Sequence, residues 1–470
     1  MSPLSPARSV APRAQTAPVR PVPTRWAAPG TITPVGTGTG AGATSRPAGR
    51  AGQSHSAGGS GGTGGSGHHG PQRDAEQAGG TSSAILAAVA SGVATDRATL
   101  ARRLGLAPST VTVKVGELIA AGVLAEAGAA SATGGRPARV LRLTPGGGCI
   151  LAAELGRHHA RIALLDMSGA LVRSADLALD VAAGPEPVLE ELVTAWTELR
   201  GAIPADAVRA VGVALPGPVS SRSGAVDSPA AMPGWHRFPV GAHLSQRLGL
   251  PAVVENDANA MALGECTALA TAPPAAEADG TAGAGAPATG GPANLLFVKA
   301  GSSVGCGLVL DGRLYRGATA LAGDLAHVVV GATGDAPCNC GNRGCLDTVV
   351  GGSYILADLR ARGIEAHQPL DIARLVGDGD AQATTRVRAA GRLLGQTLSA
   401  VVNFVNPDAV VLGGLLSTLE PFVAAVRSQL YENCHPLATR DLRIEQSAAG
   451  ADAGVLGVGQ LALRQAIVAL

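Results

Sequence analysis

Cys338-Asn339-Cys340-Gly341-Asn342-Arg343-Gly344-Cys345, preceded by His327, gathers three thiols and an imidazole around one short turn. Such a Cys3His donor set suits a closed tetrahedral zinc site, with His327, Cys338, Cys340 and Cys345 as ligands. Gly341 and Gly344 let the backbone turn sharply enough to bring the sulfurs onto one ion. The other reading is three free cysteines buried in a loop. The spacing favours zinc, and four protein donors leave no position open, so the metal is expected to be structural. The chain holds seven cysteines, an odd number, which points to a reducing compartment and a metal rather than disulfides.

Outward from this knuckle, the sequence alternates between strand and helix patterns. Cys149–Leu155, His159–Asp166 and Leu171–Leu179 read as a three-stranded meander, and Val208–Leu215 and Ala252–Glu255 as buried strands. Leu189, Leu192, Val193, Trp196 and Leu199 recur at helical spacing. The second half repeats the theme, with strands at Leu295–Lys299, Gly307–Leu310 and Ala409–Leu412. Helices are expected near Ala381–Val405 and Ala453–Ala469. This is an α/β pattern of two lobes. Only 2% of residues are aromatic, so the cores must be built from Ala, Val and Leu. A low-complexity stretch at 271–292 interrupts the pattern and reads as a mobile surface loop.

Charge divides the chain more sharply than composition does. Residues 1–80 are Gly, Pro, Ser, Ala and Thr with seven Arg against Asp74 and Glu76, a basic segment expected to be disordered. Residues 81–146 hold seven Lys/Arg against Asp96, Glu117 and Glu126. Since the whole chain has a formal charge of +1, the body from residue 147 onward is acidic. A basic front on an acidic body suits a polyanion-binding head joined to a ligand-binding domain. No apolar run reaches membrane-spanning length and no secretion signal is seen, so a cytoplasmic location without membrane contact is expected.

Within residues 81–146 the pattern is three short helices followed by paired strands. Thr81 or Ser82 can cap the first helix, and Thr95 a second that ends at Gly105. Pro108 suits the first position of a third, in which Val111, Val115, Leu118 and Ile119 share one face. Next come a short strand around Val123–Leu124, a small-residue loop, and the strand Arg139–Leu143. This is the layout of a winged helix-turn-helix, whose second helix of the turn enters the major groove. Ser109, Thr110, Thr112 and Val113 then face base edges and Lys114 faces phosphate. The loop presents Arg136 and Arg139 toward the minor groove.

Taken in order, several motifs resemble the ROK family (repressor, open reading frame, kinase) across residues 81–470. They are Thr133-Gly-Gly-Arg-Pro137, Gly212-Val-Ala-Leu-Pro-Gly-Pro-Val219, Glu255-Asn-Asp-Ala-Asn259 with Gly264-Glu265, Asp311-Gly-Arg-Leu-Tyr-Arg-Gly317, Gly323-Asp-Leu-Ala-His327, the knuckle, and Val411-Leu-Gly-Gly414. The resemblance implies the two-lobed, actin-like ATPase or sugar-kinase fold with sugar in the interlobe cleft. It makes Asp257 the counterpart of the kinase base, with Asn256 beside it. Asp324, His327 and Asp347 would line the same sugar site. Both Asp324 and Asp347 stand where the family carries Glu, and an Asn expected before Pro233-Gly-Trp235 is missing, with Ala230 and Ala231 nearby.

The phosphate-binding loops depart further. The family's Asp-x-Gly-x-Thr is replaced by Glu154-Leu-Gly-Arg-His158, and its Gly-Thr-Gly by Gly301-Ser302-Ser303. Phosphoryl transfer depends on positioning and charge stabilisation at these loops, so no ATP is expected and Asp257 becomes a vestigial base that only accepts a sugar hydrogen bond. The expected protein is a sugar-responsive transcription regulator, working as a homo-dimer or homo-tetramer on operator DNA, with a sugar or sugar phosphate as effector. An active sugar kinase and a ligand-independent scaffold are the competing readings. Arg136→Ala should weaken operator binding in a retardation assay, and unchanged affinity would move the wing off the DNA.

Overall fold

The computed structural model describes residues 81–90, 94–120, 122–129, 139–220, 223–227, 232–271, 291–331 and 334–469. The N-terminal segment, most of the low-complexity stretch, Ala230, Ala231 and Arg136 lie outside them.

Three helices, α1 (Thr81–Ala90), α2 (Arg97–Leu104) and α3 (Pro108–Ala120), precede an antiparallel hairpin of β1 (Leu124–Ala129) and β2 (Arg139–Leu143). The cap of α2 is Asp96 and not Thr95: its carboxylate accepts the Thr99 N–H at 2.9 Å. Aspartate satisfies an orphan helix donor with a full charge beside the positive end of the helix dipole. Thr95 instead offers its carbonyl to the Leu141 N–H at 2.7 Å, which ties the wing to the helices. Gly105 then ends α2 at φ 64°, a conformation that suits glycine. Val111, Val115 and Leu118 turn inward onto Ile85, Leu86 and Leu100, as the spacing required. The first strand of the wing is longer than its two apolar residues suggested, because its Ala-rich continuation pairs with β2 as far as Ala129↔Arg139.

One turn of 3-10 helix at Pro145–Gly147 separates the hairpin from the body. The body opens with β3 (Cys149–Leu155), β4 (His159–Asp166), β5 (Leu171–Ala178), α4 (Pro185–Arg200), β6 (Val208–Leu215), α5 (Val240–Leu248), β7 (Ala252–Asn256) and α6 (Asp257–Thr271). It continues with β8 (Leu295–Ala300), β9 (Val304–Leu310), β10 (Arg313–Leu314), α7 (Asp347–Val350), α8 (Gly352–Ala361), α9 (Pro369–Gly377) and α10 (Ala381–Val405). Then follow β11 (Ala409–Gly413), α11 (Glu420–Asn433), α12 (Pro436–Thr439), β12 (Arg443–Gln446) and α13 (Ala453–Ala469). The two five-stranded sheets have orders β5-β4-β3-β6-β7 and β10-β9-β8-β11-β12. In each, an antiparallel meander is extended by two parallel strands, so the lobes share one topology. Asp311 and Gly312, at φ 51° and 71°, make the tight β9–β10 turn.

Helix α13 lies on the first sheet and α6 on the second, and the two helices pack against each other. Their contact is made by backbone. A Cβ on Gly264 would fall 1.9 Å from the Ala453 carbonyl oxygen, and one on Gly457 would fall 1.7 Å from that of Ala260. Next to Gly264, the buried Glu265 accepts hydrogen bonds from the Ser447 hydroxyl and the Ala448 and Ala449 N–H groups, at 2.6, 2.7 and 3.2 Å. That fixes the turn leading into α13. Helix α13 also packs against α1, so the apolar core of the head runs without a break into that of the first lobe.

Gly264→Ala and Gly457→Ala should each destabilise the body by about 2 kcal/mol or more, because backbone must move to admit a methyl group. Thermal melts check this: a midpoint within about 1 °C of the parent would show that the helices can separate without cost.

Candidate functional site

The four donors proposed for the knuckle converge. The ligand atoms of His327, Cys338, Cys340 and Cys345 all lie within 4.8 Å of one another. Cys338 Sγ stands 3.5 Å from His327 Nδ1, and Cys340 Sγ 3.7 Å from Cys345 Sγ. Metal–sulfur bonds of about 2.3 Å in a tetrahedron place sulfurs about 3.8 Å apart, so the cluster fits such an ion. Gly341 at φ 93° and Gly344 at φ 70° supply the left-handed turns that bring the thiols together. Burial pushes the Cys345 thiol up to about 12, and the neighbouring thiols add to the shift. The Cys340 thiol goes the other way: its desolvation is outweighed by the Asn342 N–H and the adjacent thiols.

Asp347 follows two residues after the last thiol and opens α7. Its carboxylate is buried, accepting the Val304 N–H at 2.8 Å and the Ser303 hydroxyl at 3.0 Å. Burial pushes this carboxyl above its ordinary range, while those two hydrogen bonds oppose the rise. The Gly352 and Ser353 N–H groups donate to the Gly301 and Ser302 carbonyls, each at 2.9 Å. The Gly301–Ser303 turn is thus anchored on both sides by the chain that leaves the knuckle. Asp324 stands near His327 with much of the residue open to solvent; the packing around its carboxyl group still desolvates it and raises its pKa, and the charge of His327 opposes this.

Asn256 ends β7 and Asp257 begins α6, so both stand at the C-terminal end of a parallel strand, where α/β sheets place their ligands. Asn256 Nδ2 donates to the Gly217 carbonyl and to Asp257 Oδ1, both at 3.1 Å. Asp257 Oδ1 also accepts the Ala258 N–H at 2.7 Å. Behind them the buried Glu255 holds Arg316 at 2.7 Å, which accounts for the second arginine of the Asp311–Gly317 motif.

The motifs gave no sign of Lys299. Its ammonium lies 2.5 Å from Asp257 Oδ2 and 3.4 Å from Glu154 Oε1. Desolvation would lower its basicity, but the charges of Asp257 and Glu154 prevail and raise it. Lysine in a strand usually points to solvent, so only its contacts reveal the role. At the other altered loop, His158 is exposed and stands 3.5 Å from Asp180 at the surface. Arg157, half-buried in the β3–β4 turn, lies close enough to Asp347 to stabilise its charge.

On the head, Ser109, Thr110, Thr112 and Val113 are exposed on α3, Val113 to 59%. The Thr112 hydroxyl donates to the Pro108 carbonyl at 2.8 Å, which leaves its oxygen as an acceptor. Lys114 pairs with Glu117 at 2.8 Å, an exposed pair worth little. Arg139 reaches Glu126, which also takes Arg97 at 2.6 Å, so the wing strand and α2 share one carboxylate.

The ROK family profile matches residues 150–273 and 276–465. The chain belongs to the ROK family. The crystal structure of a ROK family transcriptional regulator, a homolog of the E. coli MLC protein, superposes with a TM-score of 0.64 at 25% identity. That match covers 83% of this chain and 97% of the other. The xylose repressor of Bacillus subtilis is 24% identical over 370 residues, covering 78% of this ROK chain and 90% of the repressor. A glucokinase of Halalkalibacterium halodurans is 29% identical over 271 residues, 54% of this chain and 76% of the kinase.

Cys340→Ser removes one of the four donors. Elemental analysis of the purified variant should find its metal content reduced from about one ion per chain to a small fraction, with a lower melting temperature. Unchanged metal content would exclude the cluster as the binding site.

Proposed function

We propose that this ROK protein is a sugar-responsive transcriptional repressor, with operator DNA read by the head and a sugar bound between the lobes. The observation that carries this reading is the joining of two surfaces on one packed unit. A helix presenting Ser109, Thr110, Thr112 and Val113 to solvent belongs to a core that continues, through α13, into the lobe bearing Glu154. Bases would be contacted by those side chains, while Lys114, Arg136 and Arg139 engage the backbone and minor groove. The pairs Lys114–Glu117 and Arg139–Glu126 are exposed at their basic ends and can exchange for phosphate.

In the cleft, Asn256, Asp257, Asp324, His327 and Asp347 would accept and donate hydrogen bonds to hydroxyls. Zinc on the Cys3His cluster would be structural, holding the segment that positions Asp347. Turnover of ATP is disfavoured by Lys299 on the would-be base, by Arg157 in the first phosphate loop, and by the serines of the second. Two copies reading two half-sites would give a pseudo-palindromic operator. Effector and operator affinities would then be linked reciprocally, each weakening the other by the same factor. Seven free cysteines, three of them in a cluster suited to a metal, support a location inside the cell.

A second reading, an ATP-dependent sugar kinase, is favoured by the retained Asn256–Asp257 pair. Capture of genomic fragments by the full-length protein, repeated with a panel of sugars and sugar phosphates, separates the two. Enrichment of one pseudo-palindrome, reduced by one sugar, is expected. No enrichment above a head-deleted control, together with sugar-dependent ADP release from ATP, would establish the kinase instead.

A further inference from the structure

Lys299 stands at the end of β8 in the second sheet, and Glu154 at the end of β3 in the first, with Asp257 heading the helix between them. All three are largely enclosed: Glu154 is 4% exposed, Asp257 7%, and the Lys299 side chain 16%. Glu154 cannot retreat, since Gly454 at the start of α13 lies so close that a Cβ there would come within 2.5 Å of Glu154 Cγ. One ammonium therefore bridges the two sheets.

Two ionised carboxylates facing one ammonium leave a local excess of one negative charge. Among the described residues, neither carboxylate forms an ion pair with Arg157. An ammonium has three donors, of which Asp257 and Glu154 take two. One remains for a ligand oxygen, and Asp257 keeps acceptor capacity beyond its three partners. A hydroxyl meets both needs without adding charge. A phosphate dianion would face the excess negative charge in a site with little water to screen it.

We propose that Lys299 is a positioning and specificity residue of the effector cleft, which bridges the lobes through Glu154 and Asp257 and restricts the ligand to an uncharged polyol, excluding its phosphate esters. This rests on the sugar-responsive reading above and narrows it. Lys299 orients Asp257 for a sugar hydroxyl and fills the place beside the base that a transferred phosphoryl group would need.

Calorimetric titration of the full-length, metal-loaded protein with D-xylose, D-glucose, D-galactose and a phosphate ester of each tests the inference. One free sugar should bind, its phosphate at least about tenfold more weakly. Lys299→Met should weaken the free sugar about tenfold or more, with partial recovery in Lys299→Arg. Glu154→Gln, which removes the excess charge, should narrow the preference for free sugar over phosphate, an effect that a purely structural role for Glu154 would not produce. Circular dichroism and metal content confirm that each variant is folded. A phosphate ester binding the parent as tightly as its free sugar overturns the inference and leaves the effector reading intact, as does an unchanged preference in folded Glu154→Gln. If no sugar or ester binds while operator capture persists, the inference and the effector reading fall together and DNA recognition stands.

Discussion

The contact between α6 and α13 is the constraint on which the architecture turns. Two helices can approach backbone to backbone only where side chains are absent, and Gly264 and Gly457 provide that on opposite partners. Each helix lies on a different sheet, so their contact sets the distance between the lobes and hence the width of the cleft. Helix α6 begins with Asp257, and α13 begins beside Glu154 and packs against α1 of the head. Movement between the lobes must therefore be felt at the same helix that supports the head. A close-packed interior transmits such shifts because it has no voids in which to absorb them.

Electrostatics gives the cleft its chemical character. Lys299 of the second sheet engages Asp257 at the head of α6 and reaches Glu154 of the first sheet. The loops that would cradle phosphate are tied down: Gly301–Ser303 by Asp347 and the first residues of α8, the β3–β4 turn by its own hairpin bonds. The cluster of His327, Cys338, Cys340 and Cys345 precedes this carboxylate in the chain. Its close packing fixes the register between His327 and Asp347, and so helps position the carboxylate that reaches Ser303 and Val304.

Much of this was legible in order along the chain. The apolar face of α3, the meander of β3 to β5, the strand Val208–Leu215 and the helices at Ala381–Val405 and Ala453–Ala469 follow from periodicity, a local property of sequence. The Cys3His set was equally plain, since three thiols lie within one turn and glycines mark where it bends. The cap of α2 was misplaced by one residue because Thr95 and Asp96 are both capable caps, and the choice depends on the Leu141 strand drawing on the Thr95 carbonyl. Small elements such as α5, α12 and β12 carried no periodic signal long enough to read.

By itself, the sequence determined the alternation of elements, the duplicated lobe pattern, the grouping of three thiols with one imidazole and the outward face of α3. Each depends on residues close together in the chain, where spacing alone fixes which side chains share a face or a turn. Tertiary structure decided the partners of isolated residues. Lys299 meets Glu154 across 145 positions, Arg316 meets Glu255 across 61, and Glu265 receives Ser447 across 182. Pairings of that range are set by how two sheets and two glycine-bearing helices close on one another, and no local pattern records that geometry.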